Sequence, residues 1–249
     1  AEINAENNWM WEDAVEVTKT HKAHIVVVIL GDEEDLISRG LLYTKIMATC
    51  CKQENAIGVF TCGVVFEPSY YMKSAEMIKD GELPIFNWVW FGLYRTENGL
   101  STYTYGMKAF GKLELEILDA YEEAGKLLSF ISAIASYILQ DDVELKDGET
   151  IGLSEKDIHQ ITLSKGVALP EKTLKISYEK KKSLGGKNTE EIKIEMRENM
   201  EKINHEFFGE LDLNGLDDDF GFSDDVIVLW EEEVNGINTT LWYAKSIKI

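Results

Sequence analysis

Hydrophobic residues along this chain follow two rhythms, and their alternation predicts the elements. Trp11–Lys22 places Trp11, Ala14, Val15 and Val17 at a weak helical spacing. Ala23–Leu30 contains the unbroken apolar run Ile25–Leu30, which predicts a strand covered on both faces. Gly31-Asp32 then supplies a turn and a helix cap, and the following acidic residues suit a first helical turn. That helix is expected to reach Gln53, with Leu36, Ile37, Leu41, Met47 and Cys51 on its apolar side. Ala56–Phe66 predicts a second buried strand, and Pro68 opens a helix over Ser69–Lys79. Strand, helix and strand in this order suggest a βαβ unit with a right-handed crossover.

After Pro84 the period shortens. Asn87–Arg95 and Leu100–Tyr105 are aromatic-rich strands on either side of Asn98-Gly99, a hairpin signal. Lys112–Leu118 alternates with period two and predicts a third antiparallel strand. Glu122–Gln140 is the helix expected to cover this sheet. Leu127, Ile131, Ile134 and Ile138 form its stripe, widened by Leu128, Ala135 and Leu139. Short strands follow near Thr150, Ile158–Leu163 and Thr173–Tyr178. Lys180–Lys187 reads as a linker, and Asn188 with Glu191 as a capping box before a helix carrying Ile192, Met196, Met200, Ile203 and Phe207. Val226–Trp230 and Thr239–Ile247 close the chain as strands. The fold class expected is α+β: a mixed β-sheet with packed helices over residues 1–179, a linker at 180–188, and a small acidic α+β module over 189–249.

Composition narrows the function. The net charge of −20 repels phosphate backbones, which argues against nucleic acid and anionic membranes as partners and favours a basic protein. Three cysteines, two of them adjacent at Cys50-Cys51, form no disulfide framework and suit a reducing, cytoplasmic setting. The first residues carry neither basic charge nor an apolar core, so they do not read as a signal peptide. The longest apolar run, Leu127–Leu139, is too short to span a bilayer.

Gly106–Lys112 comes within one residue of a phosphate-binding loop. Leu113 stands where the metal-binding hydroxyl belongs, and a strand rather than a helix follows, so a strand–turn–strand corner is the better reading. No nucleotide cofactor is expected. No metal site is expected either: Cys50, Cys51, Cys62, His21 and His24 lack ligand spacing, although a Cys50–His24 dyad stays conceivable. Glu210-x-Asp212-x-Asn214-Gly215 opens like a calcium loop, but Gly221 occupies the position of its bidentate Glu. Glu114 and Glu116 are expected to share a strand face, as are Trp88 and Trp90, with acid–base work or a ligand groove set against a solvated face or plain packing.

Several of these stretches together resemble a bacterial domain of unknown function, the one numbered 4261. They are Trp11-Glu-Asp-Ala, the Ile25–Leu30 strand, Tyr103–Lys112, Ile134-Ala-x-Tyr-Ile-Leu and Leu145-Lys-Asp-Gly-Glu-Thr-Ile-Gly, spanning about residues 9–178. The resemblance carries no established activity, and so no catalytic residues. It implies association with bacterial interaction or toxin-immunity gene sets. It also implies more sequence ahead of the Trp11 helix, so the chain is expected to be a piece of a longer product. The tail from about Glu190 is similar to the start of another small uncharacterised bacterial domain, numbered 2004.

The function expected is therefore that of a non-enzymatic, cytoplasmic protein-binding domain, an immunity protein against a basic toxin being one form of it. From 209 to 233 there are ten acidic residues and no basic ones. Within that run Asp217, Asp218 and Asp219 beside Phe220 and Phe222 are the expected partner contacts, supplying charge for steering and aromatics for anchoring. The alternative is a hydrolase or transferase with a pocket around Tyr103, Tyr105, Lys108 and Lys112.

Overall fold

A computed structural model describes residues 1–29, 35–154 and 157–178, together with the backbone of 227–234 and 237–241. The chain divides into two compact units, one of Ala1–Pro84 with Leu211–Ile249 and the other of Ile85–Glu210. The expected linker at 180–188 and the helix after it lie outside the described residues.

In the first unit, α1 (Glu2–Ala5) and α2 (Ala14–Thr18) precede β1 (Ala23–Val28) and α3 (Leu36–Cys51). Ala5, Ala14 and Val65 pack together beneath Trp11 and Val15. The α3 helix is capped by Asp35, whose carboxylate accepts the Ser38 amide at 2.8 Å, three residues beyond the Asp32 cap expected. Ala56–Phe66 is not one strand. It is a hairpin of β2 (Val59–Thr61) and β3 (Val64–Phe66), turned by Cys62 and Gly63 at φ 49° and 73°. Two successive left-handed residues are what a tight hairpin turn needs, and cysteine gives no local signal for one. The Pro68 helix, α4, runs over Pro68–Ala75 and tightens into a 3-10 turn at Glu76–Asp80.

The second unit begins with α5 (Ile85–Trp88), where a strand was expected, so Trp88 and Trp90 do not share a strand face. Both are nonetheless buried, and Trp88 stacks on Phe110 with ring centroids 4.6 Å apart. β4 (Trp90–Thr96) and β5 (Gly99–Tyr105) form the Asn98-Gly99 hairpin, and β6 (Leu115–Ala120) adds antiparallel to β5. Then come α6 (Ala124–Gln140), β7 (Thr150–Ser154), β8 (Asp157–Lys165) and β9 (Lys172–Ile176). The six strands lie in the order β4-β5-β6-β9-β8-β7. Only β6 and β9 run parallel, so the sheet is mixed and the fold is α+β. The α6 stripe Leu127, Ile131, Ile134 and Ile138 is buried against β4–β7, where Leu115 and Ile117 are fully shielded. Burial of such side chains contributes about 2 kcal/mol apiece.

The chain returns to the first unit as β10 (Ile227–Val234) and β11 (Ile237–Leu241), giving the sheet order β1-β10-β11. β1 pairs antiparallel with β10, from Ala23↔Glu232 to Val28↔Ile227, so the βαβ unit expected from the first eighty residues does not form. Nor is β1 covered on both faces: Ile25, Val26 and Val28 are 43%, 38% and 39% exposed.

Candidate functional site

The richest polar geometry lies at one end of the six-stranded sheet, where residues 106–114 and 165–172 close two loops. Gly106 turns the chain out of β5 at φ 138°, and Met107–Phe110 forms a single 3-10 turn. Fully buried Met107 anchors it from below. The amides of Gly106 and Lys108 donate to Glu114 Oε1 at 2.8 and 3.2 Å, and Thr104 Oγ1 donates to Glu114 Oε2 at 2.7 Å. The loop that resembles a phosphate cradle therefore already wraps an anion, its own Glu114.

Two residues on, Glu116 performs the same task for the other loop. It is wholly buried, and its carboxylate accepts the Val167 and Ala168 amides, each at 2.9 Å to Oε1. Oε2 accepts Thr173 Oγ1 at 2.9 Å and lies 3.2 Å from the Lys175 ammonium. Lys175 in turn donates to the Lys165 carbonyl at 2.7 Å, closing the network around the β8–β9 turn. Burial pushes the Glu116 carboxyl up. The amides, the threonine hydroxyl and the lysine outweigh it and hold the group below the usual carboxylate range. Glu114 and Glu116, expected as a face-sharing pair, have no hydrogen-bond partner in common: each carboxylate fixes a separate loop.

The four residues of the expected pocket are distributed around this end. Tyr103 lies across Gly92, where an added Cβ would sit 2.2 Å from its ring, and burial pushes its hydroxyl up. Its register partner in β6 is Glu116. Tyr105 is 46% exposed at the end of β5. Lys108 reaches Glu171 at 2.6 Å, tying the two loops together, while Lys112 pairs with the exposed Asp142. The structure thus places Tyr103 in the sheet and both lysines in ion pairs. The partner residues Asp217, Asp218, Asp219, Phe220 and Phe222, and the calcium-like loop at 210–215, lie outside the described residues.

Lys112 invites a direct test. Because the Gly106 and Lys108 amides are already engaged, ATP is expected to show no micromolar binding in a calorimetric titration. Lys112→Ala should not change that result. Micromolar ATP binding that disappears in Lys112→Ala would contradict this.

Cysteine chemistry receives no support from the surroundings of the thiols. None of the three is in a disulfide. Burial pushes the Cys51 thiol up to about 12 and also raises that of Cys50, the opposite of the shift that activates a nucleophile. Among the described residues no group of three or more His, Cys, Asp or Glu is placed to hold a metal ion. None of their helices is long and apolar enough to cross a membrane.

One histidine escaped the sequence reading. His159, on β8, has Nδ1 2.7 Å from the Ser177 carbonyl and Nε2 2.7 Å from Asp157 Oδ1. Its ring stacks on Tyr178 at 5.0 Å and meets Phe130 at 4.7 Å. The only signal was an Asp-x-His spacing along a strand, which puts the two side chains on one face. The Leu153 amide chiefly, with help from His159 and against a smaller burial effect, holds Asp157 below the usual range. The group clamps the β7–β8 hairpin to the residues that follow β9.

No curated protein and no solved structure matches the chain. A family model does, over 103–177, a narrower span than the 9–178 expected but one that contains Gly106–Lys112 and Asp147–Gly152. With β6, α6, β7, β8 and β9 and nearly all of β5 inside it, the stretch 103–177 matches the family described as Domain of unknown function (DUF4261).

Proposed function

We propose that this chain is a bacterial cytoplasmic protein that works by binding a basic protein partner, as an immunity protein binds a cationic toxin. The observation that carries the reading is the charge of residues 209–233, ten acids without a base, in a chain of net charge −20. Such a concentration accelerates encounter with a cationic surface, and Phe220 and Phe222 add anchors beside Asp217, Asp218 and Asp219. Part of the run belongs to regular structure: Glu231, Glu232 and Glu233 sit in β10, where Glu231 is in register with His24 of β1. The carboxylates Glu114 and Glu116 favour binding over acid–base catalysis, because both are held by amides and hydroxyls of the domain itself. The absence of disulfides suits a reducing compartment.

The test is capture of a partner on the immobilised full chain, followed by stopped-flow association. The rate is expected to drop steeply with ionic strength, and by about tenfold or more in Asp217→Lys/Asp219→Lys, with folding stability unchanged. A captured partner that binds the double variant as fast as wild type would show that this segment is not the contact.

A further inference from the structure

The sheet end that carries the two pinned loops is basic, in contrast to the chain as a whole. Residues 106–114 and 165–172 contain four lysines and two carboxylates. Glu114 is taken up by the Gly106 and Lys108 amides, Glu171 is held by Lys108, and Lys112 is held by Asp142. Lys165 and Lys172 are left over. They face each other as the last pair of the β8–β9 ladder, both exposed. Among the described residues neither ammonium has an ion-pair or hydrogen-bond partner. Like charges directly opposite across an antiparallel pair repel at a separation of about 5 Å between Cβ atoms. Among the described residues, these two adjacent cations have no carboxylate.

The neighbouring strand adds an apolar element to the same row. Leu115 is in register with Leu174, and the Leu174 amide donates to the Glu114 carbonyl at 2.9 Å, so Leu113 and Lys172 each lie two residues ahead of a paired position at the same end of the sheet. Leu113 is 43% exposed, and Val167, in the loop between the two lysines, is 62% exposed. The result is a short row at one end of the sheet: Leu113 just ahead of β6, the Lys172–Lys165 pair that ends β9 and β8, and Val167 in the loop between the two lysines. Its backbone is rigid before any partner arrives, because Glu116 binds the Val167 and Ala168 amides and Glu114 binds those of the facing turn. Preorganisation of this kind removes the ordering cost that weakens loop-mediated recognition.

We propose that this row is a docking surface for a short acidic protein segment that carries apolar side chains among its carboxylates. Two carboxylates resolve the Lys165–Lys172 repulsion, and an aliphatic or aromatic side chain between them covers Leu113 and Val167. A nucleic acid is disfavoured as the occupant. The chain's overall charge repels a long polyanion, whereas a short segment experiences mainly the local field, screened within about 8 Å at physiological salt. This surface is opposite in sign to the acidic run at 209–233.

The probe is a short fluorescent peptide of alternating Asp and Leu, titrated into the full chain by anisotropy. The comparison ligands are its Asn/Leu counterpart and a short single-stranded DNA. Wild type is expected to bind the Asp/Leu peptide, more weakly as salt rises, and to ignore both comparisons. Lys165→Glu and Lys172→Glu should each weaken binding about tenfold. Each also replaces a like-charge cross-strand pair with an opposite one, so the melting temperature should hold or rise, which separates loss of docking from loss of fold. The proposal fails if wild type does not bind the peptide, if either charge reversal leaves affinity unchanged, or if the DNA binds as tightly as the peptide.

Discussion

Replacing Glu116 with Gln is expected to destabilise the second unit by about 3 kcal/mol, although the two side chains have nearly the same shape. Every neighbour of the carboxylate is a donor: two amides, a threonine hydroxyl and a lysine ammonium. A carboxamide has one acceptor oxygen and must turn its NH2 toward either the amides or the ammonium. Buried donors without an acceptor cost about 1–3 kcal/mol each. Chemical denaturation followed by tryptophan fluorescence gives the global loss. Hydrogen exchange at Val167 and Ala168 gives the local one, and those amides should lose protection first. The same residue sets a pH dependence. Because its pKa is lowered by folding, its contribution is complete above the ordinary carboxylate value of about 4.3 and is lost as pH falls through the lower folded value. Glu116→Gln should remove that part of the acid dependence. A variant as stable as wild type, with unchanged exchange at 167 and 168, would show that the carboxylate does not hold the loop.

The second large effect belongs to Gly106. At φ 138° and ψ −19° the backbone lies outside the regions open to residues with a Cβ. An alanine methyl there would sit 2.2 Å from the Trp88 carbonyl oxygen and 3.1 Å from the Val89 Cα, both backbone atoms that cannot rotate away. Strain and displacement together should cost about 3 kcal/mol. The shift would be felt in the Trp88–Phe110 stack and in the Glu114 bonds to the turn. Thermal melting of Gly106→Ala checks this. A melting point within error of wild type would mean that the turn adapts without cost.

Local pattern was enough for the middle of the chain. Asn98-Gly99 between alternating segments specified the β4–β5 hairpin, and the three- and four-residue spacing of the α6 stripe specified both a helix and the face it buries. Each signal is confined to a few neighbouring residues. What was hidden depends on partners remote in sequence. An apolar run such as Ile25–Leu30 announces a strand without stating what lies beside it, and its neighbour turned out to be β10 rather than the strand after the next helix. Cys62-Gly63 reverses the chain without the Asn or Asp that usually marks such a turn. Glu114 and Glu116 were legible as candidates by their spacing. Their use was not, because nothing near them in sequence shows that the amides of 167 and 168, fifty residues on, need an acceptor.

The pairing of β1 with β10 has a consequence for the order of events during synthesis. Strand residues such as Val28 and Ile227 are separated by about two hundred positions, and the whole second unit, Ile85–Glu210, lies between them in sequence. At a translation rate of about 5–20 residues per second, β1 waits on the order of 10–40 s for its neighbour to be made. During that interval Ile25, Val26 and Val28 form an apolar strand with an unpaired edge, the kind of segment chaperones recognise and nascent chains aggregate through. The central unit, a compact body of its own over Ile85–Glu210, can fold on the ribosome meanwhile and shorten the effective loop that β1 and β10 must close. Stalling translation shortly before residue 227 should therefore leave a folded second unit and an N-terminal segment that binds holdase chaperones.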